Sequence, residues 1–288
     1  MIVTTIAQMQ KYLPSFNLKT SKPEENRLSS FLVRAQEWVV SRILGEDIEE
    51  TLEIDYSPGT ADPHNKLRNL TGRVISEQAY LMAIAELDLQ LSEAGFVVQS
   101  NDKMSPASQQ RVDRLVQSLT ERLNSDCDSL VKYLLRHSQE DEPYDDWRDT
   151  DQFKYLTEAF LPTMEDVAKV CMRNPVQSWS DFHNLIEKLS FVLHTKVASY
   201  VSDEQIDALL EYYRADELLD EHKKVVSWLR MAAVAGVTNS IGSDVATYAI
   251  QARNYMLKHE SSFPAFVSSD RYTLPGISFG DGTVANAL

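Results

Sequence analysis

Apolar residues recur at intervals of three and four along most of the chain, which is the pattern of one buried face of an α-helix. Such a stripe predicts a helix at 28–43, which Gly45 can end. Its apolar positions are Leu28, Phe31, Leu32, Ala35, Trp38, Val39 and Ile43. Similar stripes predict helices at 74–87 and 106–134, and Ser105 is a favourable N-cap for the latter. The pattern therefore predicts a mainly α protein.

One region between two predicted helices has a different pattern. The β-leaning runs "DLQL" and "FVVQ" flank the loop "SEAG" and predict a small β-hairpin at about 88–99. A hairpin on a helical protein has strand edges that can pair with a neighbouring chain. We interpret it as an assembly element, and the alternative is a hairpin that covers one end of the helical bundle. Its candidate contact residues are Leu89, Leu91, Phe96, Val97 and Val98.

The apolar pattern of the first helix recurs in the second half of the chain. A shift of 154 residues reproduces all seven apolar positions, as Phe182, Leu185, Ile186, Leu189, Val192, Leu193 and Val197. The run beginning at Val74 also has a counterpart beginning at Val225. Any two amphipathic helices share a three-four spacing, but the preserved order of elements predicts an internal duplication.

The duplication predicts two related helical-bundle halves, 1–142 and 161–288, with the hairpin in the first. Between them, 143–160 forms an acidic connector, since residues 139–151 carry seven carboxylates and a proline. The same stretch lacks the glycine and the final glutamate of a calcium-binding loop. The second half ends in a β-leaning tail, and Tyr272 in that tail is a further candidate contact residue.

The net charge of the chain limits the classes of molecule that it can bind. The chain has 28 Lys and Arg residues against 43 Asp and Glu residues, which gives a formal net charge of −15. Phosphate backbones and anionic membranes are repelled by such a surface, so we expect neither specific nucleic-acid binding nor membrane binding. No apolar run approaches the roughly 20 residues that a membrane-spanning helix needs.

The chain has no recognisable catalytic or metal-binding motif. It lacks a P-loop, a dinucleotide fingerprint, a G-x-S-x-G turn and an H-E-x-x-H helix. We therefore expect no enzyme activity, no cofactor and no metal. An enzyme with scattered catalytic residues is the remaining alternative, and it predicts a pocket at His194 or at the titratable cluster 217–222.

The stretch from Leu89 to Leu119 resembles a family of uncharacterised phage and prophage proteins of Bacteroides-like gut bacteria. The resemblance is carried by Gly95, Phe96, Val97, Val98, Ser100, Asn101, Pro106, Ala107 and Ser108. It implies a virion structural protein of the head–tail connector kind, assembled in the bacterial cytoplasm. Such a subunit would contact copies of itself in a ring and neighbouring portal or tail proteins, and an acidic lining would let DNA pass without sticking. The alternative is a host helical protein-interaction module.

Overall fold

The structure is a computed structural model, and it describes residues 2–3, 5–13, 22–54, 64–87, 90–92, 95–97, 109–138, 144–171, 175–238 and 244–272. The chain divides into two compact units, Met1–Gln152 (unit 1) and Phe153–Leu288 (unit 2). Most of the described residues are helical, so the prediction of a mainly α protein is confirmed.

Unit 1 contains five α-helices and two short strands in its described part. In chain order these are α1 (Ile6–Tyr12), α2 (Lys22–Val39), α3 (Glu46–Ile54), α4 (Asn65–Leu87), β1 (Gln90–Ser92), β2 (Gly95–Val97) and α5 (Gln109–His137). A π-helix, Val40–Leu44, continues α2, and a 3₁₀ helix, Tyr144–Asp149, follows α5. The strands pair antiparallel, with Leu91 opposite Phe96.

The core of unit 1 lies where α4 packs between α2 and α5. Fully buried side chains on the three helices include Leu32, Ala35, Val39, Val74, Ile75, Leu130 and Val131. Their spacing is the three-four pattern visible in the sequence, since burial of one apolar face drives the packing of such helices.

Gly45 ends the π-helix, as the sequence suggests. Its φ of +79° lies in a region that side chains rarely adopt. A Cβ atom there would also approach Cγ2 of Thr150 to 2.9 Å. The glycine therefore permits both the sharp turn into α3 and the close passage of the later segment. The helix α3 itself was not predicted, because its short acidic sequence offers only a narrow apolar stripe.

The predicted acidic connector, 143–160, is not exposed along its whole length, because it buries aromatic residues in its described part. Trp147 is fully buried, and its indole N–H donates a hydrogen bond to the carbonyl oxygen of Ile43 at 2.6 Å. Tyr144 is also buried, and its hydroxyl lies 2.6 Å from Nδ1 of His64. Burial of the aromatic rings outweighs the polarity of the segment, so its carboxylates stay on the surface while the rings enter the core of unit 1.

Unit 2 contains a longer series of helices. These are α6 (Asp151–Thr157, which begins at the unit boundary), α7 (Met164–Val170), α8 (Trp179–Val192), α9 (Ala198–Val201), α10 (Asp203–Ala215), α11 (Asp220–Val237), α12 (Val245–Met256) and α13 (Pro264–Val267). A π-helix, Leu193–Val197, continues α8, and Glu260–Ser262 forms a 3₁₀ helix. The helix α11 packs against both α8 and α12.

Side-chain caps fix where several of the helices in unit 2 begin. Thr163 caps α7 and Ser178 caps α8, each by accepting a hydrogen bond from a backbone N–H of the first turn. Ser202 caps α10 in the same way although its φ is +70°. The tail after α13 is described only as far as Tyr272, so its predicted β character lies outside the described residues.

Candidate functional site

The hairpin between α4 and α5 is the first candidate interaction site. The described part of the chain contains a single sheet, with only β1 and β2 in it. Each strand therefore has one edge without a paired strand in that part, and such an edge can accept a further strand. Of the predicted contact residues, Leu91, Phe96 and Val97 lie on the strands, whereas Leu89 and Val98 lie outside the described residues.

The two helices that carry the hairpin are joined by a cluster of four charged side chains. Arg122 of α5 lies 2.9 Å from Glu77 of α4, and Arg73 of α4 lies 3.3 Å from Asp126 of α5. Each helix contributes one acidic and one basic side chain four residues apart, so the two ion pairs lie side by side between the antiparallel helices. This charge cluster specifies one register of α4 against α5.

Glu77 is the most buried member of the charge cluster. Its side chain is 1% exposed, whereas that of Arg122 is 42% exposed. Burial, followed by the negative charge of Asp126, raises the pKa of Glu77 to about 7, and Arg122 and Arg73 oppose this only in part. Burial also raises the pKa of Asp126, against the opposing charges of Arg73 and Arg122. The Glu77 carboxyl therefore exchanges a proton near neutral pH.

The charge cluster is not apparent from the sequence. One signal is present, because Arg73 and Glu77 are charged residues four positions apart in a predicted helix that is largely apolar. The same spacing separates Arg122 from Asp126. Sequence alone does not show that these two pairs face each other.

Tyr272 lies in unit 2 and is engaged within its own unit. Its hydroxyl donates a hydrogen bond to Oε1 of Glu260 at 2.7 Å, and its ring contacts the edge of Phe266. These contacts help to hold the described end of unit 2. The residue is half-buried, so part of its ring remains available to a partner.

His194 lines a polar cavity of about 370 Å³ in unit 2. Its Nδ1 lies 3.0 Å from a carboxylate oxygen of Asp203, which would orient the imidazole as in an acid–base pair. The hydroxyls of Ser199, Ser268 and Ser269 also line the cavity, but each donates to a backbone carbonyl of its own segment. Among the described residues the imidazole therefore has a carboxylate partner but no hydroxyl nucleophile bonded to it.

In the titratable cluster 217–222, the histidine, His222, has a structural role. His222 is 3% exposed and stacks on Tyr212. Its Nε2 lies 2.8 Å from the carbonyl oxygen of Ser262, and its Nδ1 accepts a hydrogen bond from the backbone N–H of Leu219. Both ring nitrogens are used within unit 2, so His222 does not face a ligand.

Neither a metal site nor a membrane span is found in the described part of the chain. There, no group of three His, Cys, Asp or Glu side chains is placed to hold a metal ion. No helix in the same residues is long and apolar enough to cross a bilayer.

Comparison with known proteins gives one match. Residues 30–157 match the model of a family of unknown function, DUF6712. The match spans less than half of the chain and contains most of unit 1, including the hairpin and the charge cluster. No curated protein and no solved structure matches the chain.

Proposed function

We propose that this chain is a non-enzymatic structural protein of a phage or prophage virion, of the head–tail connector or adaptor kind. It acts by associating with copies of itself and by contacting a neighbouring ring, such as a portal or a tail protein. The observation that carries the proposal is the two-stranded hairpin on a helical unit, because its open strand edges suit pairing between chains better than any chemistry.

The position of the hairpin supports its role in assembly. It follows α4 and precedes α5, and the charge cluster fixes the register of those two helices. The helices on either side of the hairpin are thus held together within unit 1.

The surface charge supports the same proposal. A net charge of −15 repels the phosphate backbone. In a ring around a DNA channel, such subunits would let the duplex pass without retaining it. This property is useful to a connector and is unsuitable for a protein that must grip DNA.

We further infer that the two units descend from one repeated helical unit. Each contains, ahead of its first long helix, a seven-residue helix capped by a threonine, Thr5 for α1 and Thr163 for α7. In each, the next long helix continues as a five-residue π-helix, Val40–Leu44 or Leu193–Val197. Since π-helices are rare, finding one at the same place in both units is a stronger argument than shared apolar spacing.

A turn of similar geometry extends the correspondence, although it follows the π-helix directly in unit 1 and follows the four-residue α9 in unit 2. Gly45 has φ +79° and ψ 165°, and Ser202 has φ +70° and ψ 152°. A helix follows at once in both units, α3 after Gly45 and α10 after Ser202. Superposition of experimental coordinates over these elements tests the inference, and a different connection between the matched helices would refute it.

The assembly role is tested by replacing 89–99 with a short Gly-Ser linker. We expect the variant to keep the helical circular dichroism of the parent and to lose concentration-dependent assembly measured by light scattering. A matched control replaces the exposed Leu219, in unit 2, with serine. If the folded hairpin variant assembles as the parent does, the assignment is wrong. Genes for a portal, a major capsid protein or a terminase beside this one would favour the virion role over a host interaction module.

A second candidate function is an enzyme that uses the His194 cavity. The pairing of His194 with Asp203 at its wall is the specific observation in favour. A screen of small polar metabolites by thermal shift, with His194→Ala as the comparison, tests this function. A ligand that stabilises the parent and not the variant would support it, and the absence of any such ligand would favour the structural role.

A further inference from the structure

The first turns of α5 carry positive charge in an otherwise acidic protein. Arg111 and Arg114 are exposed, and within the described residues no carboxylate forms an ion pair with either. With Leu115 and Ser118 they follow a three-four spacing, so the four side chains share one face of α5 (the basic face). Asp113 lies on the opposite side and accepts a hydrogen bond from Gln109 at 2.8 Å.

This placement of charge costs stability in the isolated chain. The N-terminal end of a helix carries partial positive charge, so acidic side chains are favoured there and basic ones are not. The first turn of α5 has no acidic residue and contains Arg111, and Arg114 lies in the second turn. A contact with negative charge from outside the unit would offset this cost.

Apolar surface adjoins the basic face. The stripe of α5 is buried from Leu119 onward, but Val112, Leu115 and Val116 are only half-buried. The first three turns of the helix therefore offer both arginines and partly exposed apolar groups, as the rim and centre of a small interface do.

A complementary surface lies at the other end of the same helix. The 3₁₀ helix Tyr144–Asp149 and the start of α6 expose Asp145, Asp146 and Asp151 (the acidic face). This segment is fixed to the end of α5 by the bond from Arg148 to Oγ of Ser138, at 3.0 Å. From Arg114 to His137 the helix rises about 35 Å, at roughly 1.5 Å per residue.

We propose that the basic face of one chain binds the acidic face of a second copy, and that this head-to-tail contact propagates the assembly. Because the two faces lie at opposite ends of α5, one molecule cannot satisfy both by itself. A contact between unlike faces generates a closed ring or an open filament rather than a two-fold dimer. The inference rests on the proposed self-association and names the surfaces that carry it.

Charge reversal on each face tests the proposal. We expect R111E/R114E and D145K/D146K each to weaken association on the order of tenfold, since opposed charges across an interface become like charges. The chain carrying all four substitutions should recover association, because its faces are complementary again. Association is measured by sedimentation velocity at low salt, and about 0.5 M salt should weaken the parent as well, because it screens the charges.

The controls separate this contact from the hairpin. D207K/E211K changes the net charge as much as D145K/D146K does, at exposed positions of α10, and should leave association unchanged. If both single-face variants associate like the parent while loss of the hairpin abolishes assembly, the head-to-tail contact is wrong and the proposed function stands. If R111E/R114E weakens association but the fourfold variant does not recover it, the acidic face is not the partner and the proposal is overturned. A parent chain that stays monomeric at low salt overturns both.

Discussion

Glu77→Gln should make unit 1 more stable at alkaline pH. Burial of the carboxyl raises its pKa from 4.5 to about 7, which means that the folded protein disfavours the charged form. That difference corresponds to about 3 kcal/mol of folding free energy at high pH. Glutamine has nearly the same shape and carries no charge, so it removes the penalty while keeping a polar group beside Arg122.

The sign of the pH dependence follows from the raised pKa. The contribution is favourable below about pH 4.5 and is lost as the pH rises through about 7, because the folded state then has to hold a buried charge. About 2.5 kcal/mol of the loss falls between pH 5 and pH 8. The pKa of Asp126 is also raised, so the variant keeps part of the slope, and the difference between the two proteins reports Glu77 together with its coupling to Asp126.

Urea unfolding read by hydrogen exchange of α4 and α5 peptides measures this effect in unit 1 alone. We expect the parent to lose about 2.5 kcal/mol more than Glu77→Gln between pH 5 and pH 8. Glu50→Gln, at an exposed position of α3, is the matched control and should follow the parent. If Glu77→Gln is less stable than the parent at pH 8, then the ion pair with Arg122 outweighs burial and the reasoning is refuted.

Four further substitutions, one of them also combined with Tyr12→Ala, test the packing. Ser202→Gly should stabilise unit 2 by about 1 kcal/mol in thermal unfolding, because glycine adopts the positive φ of this position without strain and loses little of the helix-capping energy. Gly45→Ala should destabilise unit 1, because its φ is also positive and its Cβ would crowd Thr150. Trp147→Phe should cost about 2 kcal/mol in denaturant unfolding, since it leaves a cavity and removes the indole hydrogen bond, and a smaller loss would contradict its place in the core. Gly72→Ala should cost about 2 kcal/mol because its Cβ would lie 2.6 Å from the Tyr12 ring, and adding Tyr12→Ala should cost less than the two separate losses combined.

The long helices could be predicted because their apolar residues recur at regular intervals along the sequence. The stripe at 28–43 corresponds to α2 with its π-helix, and the stripe at 106–134 corresponds to α5. The apolar side chains at three-four spacing are buried from Phe31 onward in the first stripe and from Leu119 onward in the second. Periodicity reports which face is buried, and for helices of four turns or more that is enough to place them.

Short acidic segments were less predictable because composition and burial disagree there. The segment 144–149 holds three aspartates, yet Trp147 at its centre is fully buried. Burying the indole ring removes a large apolar area from water. The neighbouring carboxylates remain at the surface, so burial of the ring does not require burial of a charge. The average composition of the segment does not show that one face of this 3₁₀ helix is buried while the other is exposed.

The charge cluster was unpredictable for a different reason. Glu77 lies in a run that reads as an apolar helix, and its partner Arg122 is 45 positions away in the sequence. Which carboxylate meets which guanidinium depends on the register of α4 against α5, and no local pattern encodes that register. The cluster is therefore a property of tertiary packing rather than of either helix.

The proposed duplication makes the differences between the two units informative. With Val74 matched to Val225, Arg73 corresponds to Lys224 and Glu77 to Trp228. In unit 2 the Lys224 ammonium lies 5.8 Å from the centre of the Trp228 ring and 4.8 Å from that of Tyr255, so a cation–π contact replaces the charge cluster. A cation on an aromatic ring holds the helices of unit 2 together without burying a carboxylate.

Unit 1 has the costlier arrangement, a buried carboxylate, between the two helices that flank the hairpin. Of these, α5 is 29 residues long, whereas α12 of unit 2 is 12 residues long. Within the described residues, unit 1 is thus distinguished by the extended helix, the hairpin and the charge cluster between α4 and α5. Under the proposed duplication and the proposed assembly role, unit 1 is the copy that acquired the contacts for assembly.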